Sequence, residues 1–277
     1  AIAGDTMDAE AMYALKRLMT ALGSPNIDCR QDGAAIGEGP RGGWLFNTTI
    51  AGIEDADALL LVGTNPRWEA ALVNARIRKR WLRSNFPIGV IGMKLDLTYD
   101  HEHLGAGTQT LAEVADGSNK FAEVLKAAKK PMIVVGMGAL TRKDGAAVLA
   151  AARAIAENCG MIQPATQDED GETVPGWNGF NVLHTAAARV AGLDMGFVPG
   201  KGGADVAGIL AGAKAGKIKL VYLLGADEID TAGLGDAFVV YQGHHGDKGA
   251  HRADVVLPGA AYTEKDGLYV NTEGRVQ

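Results

Sequence analysis

Ala58-Leu-Leu-Leu-Val-Gly-Thr-Asn-Pro66 decides the fold. Five uninterrupted aliphatic residues are too apolar for a strand with one wet face, and they run directly into a Gly-containing turn and a helical pattern. That is the signature of a parallel strand feeding a crossover helix. The same signature recurs along the chain, at Ile88–Ile91, Met132–Val135, Leu220–Leu224, Phe238–Tyr241 and Val255–Leu257. Between these strands lie helical patterns at Met7–Leu22 (with Asp5/Thr6 as the expected N-cap), Arg67–Leu82, Lys120–Ala128, Asp144–Asn158, Asn181–Val190 and Gly203–Ala215. Thr141-x-x-Asp144 resembles a capping box. The expected architecture is α/β with doubly wound, mainly parallel sheets. The similar strand-to-turn signals Leu60-Leu-Val-Gly63 and Leu223-Leu-Gly225 point to two related units.

Composition narrows the function. The 277 residues carry 27 Lys+Arg against 33 Asp+Glu, a net charge of −6, which disfavours nucleic acid and anionic membranes. No aliphatic run approaches the roughly 18 residues of a spanning helix. Two distant cysteines, Cys29 and Cys159, exclude a disulfide framework and any all-cysteine iron–sulfur site within this chain. Of three serines, none sits in a G-x-S-x-G elbow. The 38 glycines are spread along the chain, as many tight βα turns require.

Several fragments look like ligand motifs and fail on inspection. Met132-Ile-Val-Val-Gly-Met-Gly138 begins like a dinucleotide fingerprint, but Thr141 stands where the third Gly belongs. Gly196-Phe-Val-Pro-Gly-Lys-Gly202 misses the phosphate-loop spacing and lacks Ser/Thr after Lys. Asp168-x-Asp170-Gly171 fails as a calcium loop, with Thr166 and Trp177 at the first and twelfth positions. His101 and His103, around Glu102, read as a solvated loop with no third metal ligand in register. No nucleophile and base pair stands out, so no catalytic and no metal residues are expected. Gly63-Thr-Asn-Pro66, opening a helix, could cradle a phosphate on its N–H groups. The basic run Arg76, Arg78, Lys79, Arg80 and Arg83 reads as a solvated or partner-facing helix side. Gln31–Asn47 and Gln163–Gly179 read as linkers or long functional loops.

The most specific signal is Ala253-Asp-Val-Val-Leu-Pro258, with Glu264-Lys-Asp-Gly267 and Asn271-Thr-Glu-Gly-Arg-Val-Gln277. It resembles a segment of the molybdopterin oxidoreductase superfamily, and Leu60–Pro66, Lys130–Gly138, Gly179–His184 and Asp194–Gly196 agree in order. Gly4–Glu10, Asn26–Arg30, Gly63–Arg67 with Asn74–Lys79, and Tyr222–Glu228 resemble the large iron–sulfur subunit of proton-pumping NADH:quinone oxidoreductase, respiratory complex I. That family passes electrons from NADH through FMN and iron–sulfur clusters to quinone.

The resemblance implies the formate dehydrogenase-like form of the fold, one α/β domain inserted in another, with residues 48–129 as the insert and 1–47 plus 130–277 as the host. It implies a fragment of a longer chain: Ala1 is not an initiator Met, Gln277 closes on a turn, and the clusters would lie upstream. It implies partners among other peripheral-arm subunits, no direct membrane insertion, and a place on the cytoplasmic face of a bacterial inner membrane or the mitochondrial matrix side.

Gly63, Asn65, Pro66 and Gly225 are the candidates for a vestigial pterin pocket. Gly225 is followed by Ala226-Asp-Glu228 where the superfamily's enzymes have Asn-Pro, and Gln31-Asp-Gly33 follows Cys29 where they place a metal ligand. The expectation is therefore a structural segment without a cofactor of its own. The alternative is a catalytic domain binding molybdopterin guanine dinucleotide. A third reading is a nucleotide-binding α/β protein unrelated to respiration.

Overall fold

A computed structural model describes residues 1–246 and 248–277. The strands of its two parallel sheets, in chain order, are β1 (Ile2–Ala3), β2 (Ala58–Val62), β3 (Ile88–Ile91), β4 (Glu102–Gly105), β5 (Pro131–Gly136), β6 (Phe180–Leu183), β7 (Leu220–Leu224), β8 (Phe238–Gly243) and β9 (Val255–Pro258). The main helices are α1 (Ala9–Ala21), α2 (Ala71–Arg83), α3 (Thr108–Asp116), α4 (Lys120–Ala127), α5 (Gly145–Asn158), α6 (Arg189–Asp194) and α7 (Val206–Lys214). The chain divides into two compact units, residues 35–185 and residues 1–34 with 186–277.

The unit of residues 35–185 holds a five-stranded parallel sheet in the order β6-β5-β2-β3-β4. Counted within the unit this is 3-2-1-4-5, the dinucleotide-fold order, whose direction of travel reverses between β2 and β5. All five residues of β2 are buried, and Leu59 and Leu61 share a core with Ile77, Val90 and Val134. The fully buried Asn181 on β6 holds the preceding loop: its Nδ2 donates to Ile133 and Gly179 carbonyls at 3.2 and 3.0 Å, and its Oδ1 accepts from the Thr48 amide at 3.0 Å.

The other unit holds a four-stranded parallel sheet, β1-β7-β8-β9. Asp28 adds a parallel bridge on the outer side of Ile2, which gives the order 2-1-3-4-5, the flavodoxin-like alternative. α7 covers one face of this sheet, packing Val206, Ile209 and Ala213 on Val221, Leu223 and Val239.

Several expectations change. The boundaries at 48 and 129 move to 35 and 185, because β5 pairs with β2 from Ala58↔Pro131 to Val62↔Val135 and β6 pairs with β5. Hydrophobicity alone does not say which sheet a buried strand joins. Residues expected as helix Asn181–Val190 divide into β6 and α6, since Phe180–Leu183 is a fully buried run pairing along β5. Asp8, not Asp5 or Thr6, caps α1, accepting from the Ala11 amide at 2.8 Å. The capping box does not form: Thr141 Oγ1 donates back to Met137 O, and Asp144 is engaged by Arg142. The 67–82 helix is broken at Ala70 into a single turn, Pro66–Glu69, and α2. His103 lies in edge strand β4 rather than in a loop, its Nε2 2.8 Å from Gly92 O. Gln163–Gly179 carries two short antiparallel pairs, Ile162–Gln163 with Trp177–Asn178 and Thr166–Gln167 with Thr173–Val174.

Candidate functional site

In an open α/β sheet the ligand crevice lies beyond the carboxyl ends of the strands, where their order reverses. The 35–185 unit has a cavity of about 310 Å³ there, a volume at the lower end of ordinary ligand pockets. Gly63–Asn65, Gly92, Gly138 and Ala139 line its strand ends, and Val62, Val90, Ile91 and Leu111 form an apolar floor. Two of the expected residues, Gly63 and Asn65, thus line one crevice, and Pro66 opens the helical turn beside it.

The turn is built by close packing. Gly63 has φ +58°, and a Cβ there would stand 2.4 Å from that of Ala139; one on Gly136 would stand 2.4 Å from the Thr64 Cβ. The glycine of the fingerprint-like run is therefore taken up by backbone approach between two adjacent βα turns, which fixes the crevice floor.

The donors of this turn are already engaged. Thr64 Oγ1 donates to Glu69 Oε2 at 2.7 Å, and the Asn65 amide donates to Glu69 Oε1 at 2.9 Å. Glu69 thus sits where an anion would sit at a helix N-terminus. Asn65 Oδ1 is buried and has no hydrogen-bond partner. Arg142, the cation on the wall, is held by Asp144 through Nε and Nη2 at 2.7 and 2.8 Å. Glu69 escaped the sequence reading because it lies four residues after Asn65, one beyond the capping-box spacing.

The smaller sheet has a comparable cleft, of about 460 Å³, past the ends of β7, β8 and β9. Gly225 lies in this unit, at the turn after β7, with φ +57° and Met7 packed where a Cβ would be. Here the helix N-terminus is also closed by a carboxylate. Asp8 caps α1 and receives Lys265 Nζ at 2.5 Å. Burial pushes the Asp8 carboxyl up, but the hydrogen bonds from Lys265 and the Ala11 amide outweigh it and hold the group below its ordinary range. Asp227 and Glu228, which stand where the superfamily's enzymes have Asn-Pro, do not line this cleft; the carboxylate that does is Asp8.

Past Cys29, Gln31 and Asp32 point into a polar cluster around the buried Arg189, whose Nη2 lies 2.9 Å from Asp32 Oδ1 and 3.7 Å from Asp5 Oδ1. Desolvation raises the Asp5 carboxyl above its ordinary value, against the opposing pull of Arg189. Burial pushes the Cys29 thiol up to about 12, a poor metal ligand or nucleophile at neutral pH. Among the described residues, no group of three or more His, Cys, Asp and Glu side chains could hold a metal ion.

The basic helix keeps a solvated side, with the Lys79 and Arg83 side chains 54 and 53% exposed, and its cations also pair within the unit. Arg76, Lys79 and Arg83 of α2 converge on Glu54, with Lys79 Nζ and Arg83 Nη2 at 2.9 and 2.5 Å. Arg80 donates to Ala56 O at 2.6 Å and lies over Phe86. Much of the run fastens α2 within its own unit.

The geometry so far defines a pair of doubly wound units with crevices at their strand ends. The sequence pattern of the molybdopterin oxidoreductase family matches residues 1–277, and the chain belongs to that family. Over its whole length it is 48% identical to the mitochondrial NADH dehydrogenase (ubiquinone) iron-sulfur protein 1 of Solanum tuberosum, covering 35% of that protein. It is 48% identical to the mitochondrial NADH-ubiquinone oxidoreductase 78 kDa subunit of Candida albicans, covering 36% of it. It is 43% identical to an NADH-quinone oxidoreductase subunit of Rickettsia bellii, covering 37%. The chain therefore spans little more than a third of these relatives. Among solved structures, a chain of the formyltransferase/hydrolase complex (FhcABCD) of Methylorubrum extorquens shares the fold, with a TM-score of 0.67 at 20% identity over 100% of this chain and 84% of that one. Among the described residues, no helix is long and apolar enough to cross a membrane.

Proposed function

We propose that the chain is a non-catalytic, structural segment of the iron–sulfur subunit of a proton-pumping NADH:quinone oxidoreductase, and that neither crevice holds a pterin dinucleotide. The observation that carries this reading is Glu69, which takes the Thr64 hydroxyl and the Asn65 amide of the turn that would cradle a phosphate. A second carboxylate, Asp8, fills the corresponding position in the other unit. A pyrophosphate beside Glu69 would meet a repulsion of about 4 kcal/mol per unit charge at 4 Å and an effective dielectric of 20. The residues present do not fit the cofactor. Nor does the segment after Cys29 supply a metal ligand, since Asp32 is committed to Arg189.

In this reading the iron–sulfur clusters that carry electrons from NADH and FMN toward quinone belong to other parts of the subunit. The present segment gives them a rigid support and packs on other peripheral-arm subunits, on the cytoplasmic face of a bacterial inner membrane or the matrix side of the mitochondrial one. The relatives' names and their 43–48% identity over the full chain support the assignment. The test is oxidation of the purified protein followed by pterin fluorescence, with elemental analysis for Mo and W. Neither signal is expected; stoichiometric pterin would establish instead a catalytic molybdopterin guanine dinucleotide-binding domain.

A further inference from the structure

The two faces of the β1-β7-β8-β9 sheet are covered unequally. Val221, Leu223, Val239 and Tyr241 are buried on the face that packs against α7. On the opposite face, the register Leu220↔Phe238, Val240↔Val255 and Gln242↔Leu257 sets a row of apolar side chains in line. Leu220, Phe238, Val255 and Leu257 there remain 51, 46, 37 and 37% exposed. α1 covers only the inner part of this face, where Leu224 is buried, and a cleft separates Ala14 and Leu18 of α1 from Tyr222 and Gln242. Parallel sheets are normally covered on both faces.

Topology says what is missing. In the order 2-1-3-4-5, the right-handed crossover from strand 1 to strand 2 runs toward one edge and the later crossovers run toward the other, so α1 lies opposite α7. The α7 face is occupied over β7 and β8, with only Val256 of edge strand β9 exposed on it, and the broader free seat is beside α1, over β8 and β9. Residues after Pro258 do not fill it: none of them is helical, and they return to the start of α1, where Lys265 meets Asp8 and the Leu268 amide donates to Glu10. The seat has the size of one helix. An α-helix about 10 Å across spans two strands about 4.8 Å apart. The six residues of β8 are about 20 Å long, the length of roughly 13 helical residues.

We propose that this open face seats an amphipathic helix from the part of the polypeptide outside these 277 residues. The relatives supply the argument for that source, because this chain accounts for only 35–37% of their length. The seat's own character sets the chemistry of the occupant: an apolar stripe of Leu, Ile, Val or Phe at helical spacing, laid against Phe238, Val255 and Leu257.

The test places single cysteines at Phe238→Cys and Leu257→Cys and follows their reaction with a maleimide, with Leu72→Cys as an exposed control. The native Cys29 and Cys159 are buried and stay silent. In the 277-residue chain both new thiols should react about as fast as the control. In the full-length polypeptide alone they should slow at least tenfold while the control does not change. Equal rates in the two polypeptides would overturn the proposal. So would protection that appears only when other subunits are added, or protection of the short chain that rises with its concentration, the mark of a second copy. Hydroxyl-radical footprinting of Phe238 and Tyr222 in the unsubstituted proteins reads the same faces if either variant fails to fold.

Discussion

Replacing Glu69 with Ala should convert the closed turn into an anion site. The substitution removes the carboxylate that accepts from Thr64 Oγ1 and the Asn65 amide at 2.7 and 2.9 Å, leaving two donors at a helix start that opens on the crevice. Without an added anion, losing this cap should cost about 1 kcal/mol of stability, the usual worth of an N-terminal carboxylate acceptor. With pyrophosphate, the variant escapes a repulsion of about 4 kcal/mol per unit charge, equivalent to roughly a thousandfold in affinity. Titration calorimetry and thermal unfolding over a pyrophosphate series report both effects. The wild type should show no binding, the Ala variant should bind in the millimolar range or tighter, and its lost stability should return as the anion is added. Glu69→Gln separates charge from hydrogen bonding. Its amide oxygen can still accept from Asn65 although the charge is gone, so stability should hold and the anion affinity should fall between those of the wild type and Glu69→Ala, the repulsion being relieved while the donors stay occupied. Pyrophosphate binding to the wild type as tight as to Glu69→Ala, or a folded Ala variant that gains no affinity, would refute the reasoning.

Other outcomes follow from the same structure. Asn181→Leu should destabilise the 35–185 unit by about 1–3 kcal/mol in denaturant titration, because it strands the buried Thr48 amide, whereas the Ile133 carbonyl keeps its place in the parallel ladder; a loss well below about 1 kcal/mol would mean that amide finds water. Glu54 is held down to about 2 by hydrogen bonds from Lys79 and Arg76 and by the charge of Arg83. A depressed carboxylate stabilises the fold above its unfolded value near 4.5 and loses that contribution as the pH falls toward 2. Wild type should therefore exceed Glu54→Gln in stability at pH 6, and the gap should close between about pH 5 and 2; a pH-independent gap would contradict the ion-pair account. Cys29 and Cys159 should both stay unreactive to a disulfide reagent at neutral pH until the protein is unfolded, when two thiols should titrate; one fast thiol in the native state would show that a buried site is open.

The parallel strands were legible because burial on both faces leaves no polar alternation, as in the fully buried Ala58–Val62, whereas Leu220–Leu224 is a strand as its apolar run implies but leaves Leu220 exposed. The same rule explains a failure. Phe180–Leu183 is short, follows Gly179 and contains Asn, and its apolar spacing fits a helix as well as a strand; only pairing with β5 makes it a strand, with Asn181 satisfied by sheet carbonyls. The unit boundaries were illegible for a related reason, since a uniformly apolar strand carries no label for its sheet. Of the candidate residues, Gly63 and Gly225 stand at positive φ after the first strand of one sheet and the β7 strand of the other, as strand–Gly turns suggest.

The amino-acid sequence by itself therefore determined the class of architecture and the family, because periodicity and local motifs are properties of neighbouring residues. It also carried the exclusion of thiolate clusters, which is a matter of counting two cysteines. Tertiary structure alone decided which side chains line the crevices. Lys265 reaching Asp8 across 257 positions and Arg189 meeting Asp32 are pairings set by how the chain folds back on itself, whereas Glu69 reaches Thr64 within one local turn. The carboxylates beside both crevices are local caps, and only the fold sets them at the strand-end clefts.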